Sequence, residues 1–334
     1  MKKVWENAFL YVLLLTVVSC SPAAVTPPPV VPVDPFAGAG KEWAYVTNSG
    51  FYKTGFFSSD VFKGKIYMIG GFSAGYLGEV WHTADGSNWV MDTANYIPGT
   101  GIHYHQMVAF NNSLWLMGGV VTGGVVQSSV YSSGNGTNWS EANASAPWGA
   151  RFLHGCVVFK NKIWLIGGFE NFSGKLTNDV WFTSDGTNWS CANPNPPFPG
   201  RMNFGLIVKD SKLWLIGGRT NASDYMPTYS DVWCSSDGTN WTEVSSTAPF
   251  GNRQAFGCVS AGGNLWVIGG FYSAYSSTND VWYSPDGVNW TCAATNAPFL
   301  ARSNFEPEVF DNKIWVFAGY TDGGYCTNDV WTTP

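Results

Sequence analysis

Charge is scarce in this 334-residue chain. Asp, Glu, Lys and Arg make up 12% of it, with 17 Lys and Arg against 23 Asp and Glu and a formal net charge of -6. A surface that grips nucleic acid through its phosphates needs a dense basic stripe, so that class of partner is excluded. Helical patterning is also missing, because nothing after the first twenty residues repeats apolar side chains at the spacing of a long helix. The apolar run from Ala8 to Val18 is too short to span a bilayer comfortably. No nucleophile, histidine and carboxylate arrangement stands out either. What the chain has in abundance is Trp, Tyr, Phe, Gly, Asn and Ser, a composition suited to neutral, hydroxyl-rich ligands or a protein surface.

These residues fall into repeats. NDVWFTSDGTNW at 178–189 returns as SDVWCSSDGTNW at 230–241 and NDVWYSPDGVNW at 279–290, and in weaker forms at 78–89 and 128–139. The chain ends inside another copy, NDVWTTP, at 328–334. The aromatic anchor falls at Trp81, Tyr131, Trp181, Trp233, Trp282 and Trp331, a period of 49 to 52 residues in the range of propellers and solenoids. Each unit also carries an apolar run closed by paired glycines, such as KIWLIGG, with KIWVFAG as the last. Four short segments per unit, rich in Val, Ile, Phe and Trp and bounded by turn residues, predict antiparallel strands a to d. In the SDGTN connection the Asp185 carboxylate closes a turn and Gly186 supplies positive φ. The first paired glycines come after only one strand, and the last unit stops at Trp331 with no tryptophan eight residues on, so that it lacks strand d. KEWAY at 41–45, centred on Trp43, is expected to supply it and close the ring.

With its double glycine (Gly167, Gly168), strand-c aromatic (Trp181) and strand-d tryptophan (Trp189), the repeat resembles the kelch family of β-propellers across residues 41–334. The resemblance implies an all-β, six-bladed β-propeller of four-stranded antiparallel blades, closed by an N-terminal strand joining the C-terminal blade. The S-x-DG-x-x-W turns also resemble a shortened Asp-box turn, which is structural in other propellers. Some kelch relatives are copper oxidases or sialic-acid mutarotases. No convincing set of copper ligands is present, and the mutarotase comparison rests on fold, export and arginines. No cofactor is expected.

Residues 1–19 have a basic start and an apolar core, as in a signal peptide. They end at VVSC, which resembles a lipobox, with Cys20 as the lipidated residue; a plain secretory signal is the alternative. Residues 20–40 contain six prolines and no periodic pattern, and read as a semi-rigid tether. The expected location is the cell envelope of a bacterium, with a monomeric domain lipid-anchored on the periplasmic or extracellular side. Export permits disulfides, and Cys292 and Cys326 are a candidate pair at one rim, ahead of Cys191 with Cys234. Cys156 and Cys258 occupy one repeat position in separate units and read as buried thiols.

Arginine recurs at the start of strand a, at Arg151, Arg201, Arg253 and Arg302, each 16 residues before the first glycine or its equivalent. Thr54 and Ile102 take that place in the first two units. Four guanidinium groups ringing a channel mouth would favour a carboxylate, sulfate or phosphate. The competing account has each arginine bonding the carbonyls of its own d–a loop. The variable b–c loops add Tyr225, Tyr229, Tyr272 and Tyr275, whose rings can stack on sugars or pack loops together. His103, His105 and His154 offer three nitrogens without a fourth ligand, so no metal site is assigned. Glu306 and Glu308 replace strand-a positions that are apolar or small elsewhere, and are expected at an edge or in solvent. The leading expectation is a surface-tethered module that recognises glycan or protein through its loop face without catalysis. The alternative is an exported carbohydrate-active enzyme, or a sugar isomerase or mutarotase, with its site at an arginine-lined mouth.

Overall fold

The computed structural model describes residues 36, 38–93, 100–170, 174–220, 227–273 and 276–334. The signal segment, Cys20, Tyr225 and Tyr275 lie outside them. The fold is all-β and propeller-like, built mostly of four-stranded antiparallel sheets. The sheet of Gly155–Phe159, Lys162–Glu170, Lys175–Thr183 and Trp189–Asn193 shows the plan. Its second strand is buried almost throughout, with Ile163, Leu165 and Ile166 fully covered, because neighbouring sheets pack on both of its faces. The third strand is buried only at Thr177, Val180 and Thr183, and the outer one is half open. This burial gradient is why the second strand reads as an unbroken apolar run, while the outer one keeps little besides its tryptophan.

The same order recurs from Ser58–Phe62 onward. In the last sheet, Glu308–Phe310, Lys313–Phe317 and Asp329–Thr332 are joined by Ala44–Asn48 from the other end of the chain. The N-terminal strand therefore takes the outer place that the C-terminal repeat leaves empty.

Two glycine positions explain the repeat. A register shift between Ile166 and Gly168 breaks the second strand, where Gly168 has φ 101° and a Cβ would come 2.7 Å from the His154 Cβ. In the c–d turn, Asp185 Oδ1 accepts the backbone N–H groups of Thr187 (2.9 Å) and Asn188 (2.7 Å). Gly186, at φ 82°, lies flat on the Trp115 ring of the neighbouring sheet, where any Cβ would overlap the indole. The pairing repeats as Gly86 on Trp315, Gly136 on Tyr67, Gly238 on Trp164 and Gly287 on Trp214. Gly40, three residues before Trp43, makes the same contact with Trp266, so the N-terminal segment reproduces the turn as well as the strand.

Gly186→Ala adds overlap with Trp115 to the positive-φ penalty and is expected to cost about 3 kcal/mol or more. Gly64→Ala, at φ 72° with open space around it, carries the backbone penalty alone, about 1–2 kcal/mol. Urea unfolding of the two variants reads the interblade contact as their difference; equal losses would remove it.

Candidate functional site

The four arginines are sealed inside the protein. Arg151, Arg201, Arg253 and Arg302 are 0–2% exposed, and each forks onto the aspartate of its own third strand. Arg201 Nη1 and Nη2 donate to Asp231 Oδ1 (2.8 Å) and Oδ2 (2.9 Å), and Nη1 also donates to the Gly217 carbonyl at 2.8 Å. Arg151–Asp179, Arg253–Asp280 and Arg302–Asp329 repeat the fork. Each aspartate also accepts the indole N–H two residues on, as Asp231 does from Trp233 at 2.7 Å. Burial would raise the carboxyls of Asp179, Asp280 and Asp329, but the arginine hydrogen bonds and charge outweigh it and hold them below the usual range.

A ring of four open guanidinium groups at a channel mouth is therefore corrected. Each arginine bonds carbonyls of its own d–a loop, those of Trp148, Pro199, Phe250 and Leu300, and so follows the competing account. The two described tyrosines roof these cations: Tyr229 lies 5.4 Å from the Arg201 guanidinium carbon and Tyr272 6.0 Å from that of Arg253. The signal was present in the repeat. Arginine occurs only in units whose third strand carries aspartate before Val-Trp, and units with Thr54 and Ile102 carry Glu79 and Ser129 there instead.

Cys292 and Cys326 are unpaired, which corrects the rim disulfide. Cys292 sits on the outer strand Thr291–Ala294, whereas Cys326 is buried, with its thiol 3.3 Å from the Phe72 carbonyl. His105 and His154 pack against the glycines of the preceding sheets, at Gly70 and Gly118, and burial pushes both down to about 3, leaving neutral wedges. Among the described residues no group of His, Cys, Asp and Glu is placed to hold a metal ion.

The axis is where chemistry can occur. Phe56, Tyr104, Leu153, Asn203, Ala255 and Asn304 each adopt a φ between 52° and 64°. Their backbone N–H groups donate in succession to the preceding member's carbonyl, and Phe56 donates to Asn304 (2.9 Å) to complete the cycle. This collar is shared by two cavities. On the loop side lies one of about 850 Å³, reached by Lys53, His103, Asn203, Arg219, Gln254 and Tyr320. On the other lies a channel of about 540 Å³, walled by the innermost strands. Its walls are apolar around Val157, Leu206, Ile207 and Val259, and carry carboxyls at Asp60, Glu306 and Glu308.

These acids correct the edge-or-solvent expectation, because they bridge neighbouring inner strands. Glu306 Oε2 accepts from Ser59 N (2.7 Å) and Ser58 Oγ (2.9 Å), and its Oε1 accepts from Gln106 Nε2 (2.9 Å). Glu308 Oε1 accepts from Ser59 Oγ at 2.6 Å. Asp60 accepts the N–H of Val61 and, across the sheet boundary, that of Ala109, both at 2.6 Å. Desolvation dominates all three: it pushes Asp60 up to about 6 and Glu306 up to about 7, and lifts Glu308 well above the carboxylate range, aided by the Asp60 charge. Asp60 carried no sequence signal, being one aspartate among many.

These features define a β-propeller with a polar mouth above an acid-bearing axial channel. Residues 42–333 match the DUF6242 beta propeller domain, and the chain belongs to that family. It is similar in fold to the solved structure of YjhT, with a TM-score of 0.70 and 16% sequence identity over 84% of this chain and 94% of that one. No curated protein matches it in sequence. The expectation of a non-catalytic module binding through its loop face is overturned. Its arginines are locked in buried Arg–Asp pairs beneath its described tyrosines, and the titratable carboxyls lie on the propeller axis instead.

Removing one partner of a buried pair leaves the other charge uncompensated. Arg201→Ala is expected to cost about 3–5 kcal/mol by urea unfolding, and the double variant Arg201→Met/Asp231→Leu much less. For Glu306, a folded value above the usual 4.5 means stability is fully present below 4.5 and is lost as pH rises through about 7. Unfolding between pH 4.5 and 8 should therefore show a decline to which Asp60 and Glu308 also contribute, and which Glu306→Gln reduces by an amount on the order of 2–3 kcal/mol.

Proposed function

We propose that the chain is an acid–base enzyme that interconverts forms of a small reducing sugar on the propeller axis. The observation that carries this reading is Glu306, a carboxyl lifted to about 7 on the wall of an axial cavity, beside a second carboxyl, Glu308, that desolvation lifts well above the usual carboxylate range. Opening a cyclic hemiacetal removes a proton from the anomeric hydroxyl, delivers one to the ring oxygen and breaks the bond between that oxygen and the anomeric carbon. Two neighbouring carboxyls, both lifted by burial, can act as the base and the acid of these transfers without a cofactor. Across the collar from these acids, the loop-side cavity carries donors at Lys53 and Arg219, amides at Asn203, Gln254 and Asn304, and ring faces at Phe271 and Tyr320, a polar approach to the axis for a sugar. An axial channel of about 540 Å³ suits a small sugar better than a polymer.

The same reading treats the sheets as six blades of a closed kelch-type ring, supported by the cycle of collar hydrogen bonds. It places the protein outside the bacterial cytoplasm, anchored through Cys20. Magnetisation-transfer NMR between the anomers of neutral and acidic reducing sugars tests the activity with purified protein. Accelerated exchange is expected, with Glu306→Gln lowering kcat at least about 10²-fold and Arg219→Ala raising KM. No acceleration with any sugar, or full activity in Glu306→Gln, would sink the proposal.

A further inference from the structure

Away from the axis, the first sheet holds three side chains in line. Asp92 Oδ2 lies 2.6 Å from His82 Nδ1, and His82 Nε2 lies 2.9 Å from Lys65 Nζ. Three adjacent strands supply them: Lys65–Phe72, Tyr76–Thr83 and Trp89–Thr93. With the Nδ1 hydrogen donated to Asp92, the Nε2 lone pair faces the amine, in the order of orienting acid, base and nucleophile.

The other repeats show how unusual this is. The position of Asp92 is held by Ala142, Ala192, Val244, Ala293 and Val46, which are small or apolar. Where the lysine recurs at Lys162, its ammonium rests 3.9 Å from the Phe182 ring centroid, since Phe182 stands where His82 does. A carboxylate and an imidazole at inward-facing repeat positions, only 17% and 13% exposed at their side chains, are costly unless they serve each other and the amine. Lys65 itself is half-buried at the strand start, next to the exposed Lys63 and Gly64 turn, so a small electrophile can approach from that face.

We propose that Lys65 is a nucleophilic amine, served by the His82–Asp92 dyad, that accepts an acyl group from an activated ester. The neutral amine attacks the acyl carbon, the N–C bond forms and the bond to the leaving group breaks with its electron pair. The amine proton passes to His82 Nε2 and from there to the leaving group, while Asp92 keeps the Nδ1 hydrogen and balances the transient imidazolium. This site is independent of the axial reading and is tested without any sugar.

The test is limiting acetylation of the purified protein with N-acetoxysuccinimide at neutral pH, each lysine quantified by mass spectrometry. Lys65 is expected to react at least about tenfold faster than Lys162, which holds the same repeat position without a base. His82→Gln and Asp92→Asn should bring Lys65 down to the Lys162 rate. A wild-type Lys65 that reacts no faster than Lys162 would overturn the proposal, as would a fast rate that survives in both folded variants. Should either variant fail to fold, the wild-type ratio still decides.

Discussion

Sheets that radiate from a common axis cannot join their inner strands by a backbone ladder, and every other feature of this protein answers that constraint. Among the described residues no ladder links one inner strand to the next. Three substitutes hold the neighbours together. At the axis the collar residues, in a backbone conformation that non-glycine residues seldom adopt, bond one to the next. At the turn face each Asp-Gly turn lays its glycine on the adjacent sheet's aromatic ring. Between them, apolar second strands pack face to face. The N-terminal segment obeys the same rule, which is why it carries both Gly40 and Trp43.

The buried arginines belong to this scaffold. Each one ties the start of its inner strand to the third strand and to the glycine bulge between them, with an aromatic from the preceding loop beside it, as Phe198 lies beside Arg201. The units without the pair are the first two. There the scaffold has been altered, and there the atypical side chains gather: His103 and His105, Gln106, Asp60, and the relay of Lys65, His82 and Asp92. The carboxyls of the channel lie where the last sheet meets the first, so the departures from the repeat concentrate on one side of the axis and leave the opposite wall apolar. A site in a repeat protein needs such asymmetry, because a group present in every unit can distinguish nothing.

Much of this was legible along the chain. The all-β class, the four-strand unit, the structural duty of Asp185 and the N-terminal strand that completes the last sheet all follow from spacing. The Arg–Asp pairing was also written there, in the shared presence and shared absence of the two residues, although each alone looked like an isolated charge. Glu306 and Glu308 stood out as departures, but their surroundings did not, since Ser58 and Ser59 are some 250 positions away in sequence.

The sequence by itself determined the repeat, because backbone turns and strand alternation are local and recur with a fixed period. Only the tertiary structure decided which charges are sealed and which face a cavity. Whether an arginine meets a ligand or an aspartate, and whether a glutamate stays ionised, depends on desolvation and on partners brought in from other sheets. Those quantities belong to the packing of the sheets on one another and to no single unit.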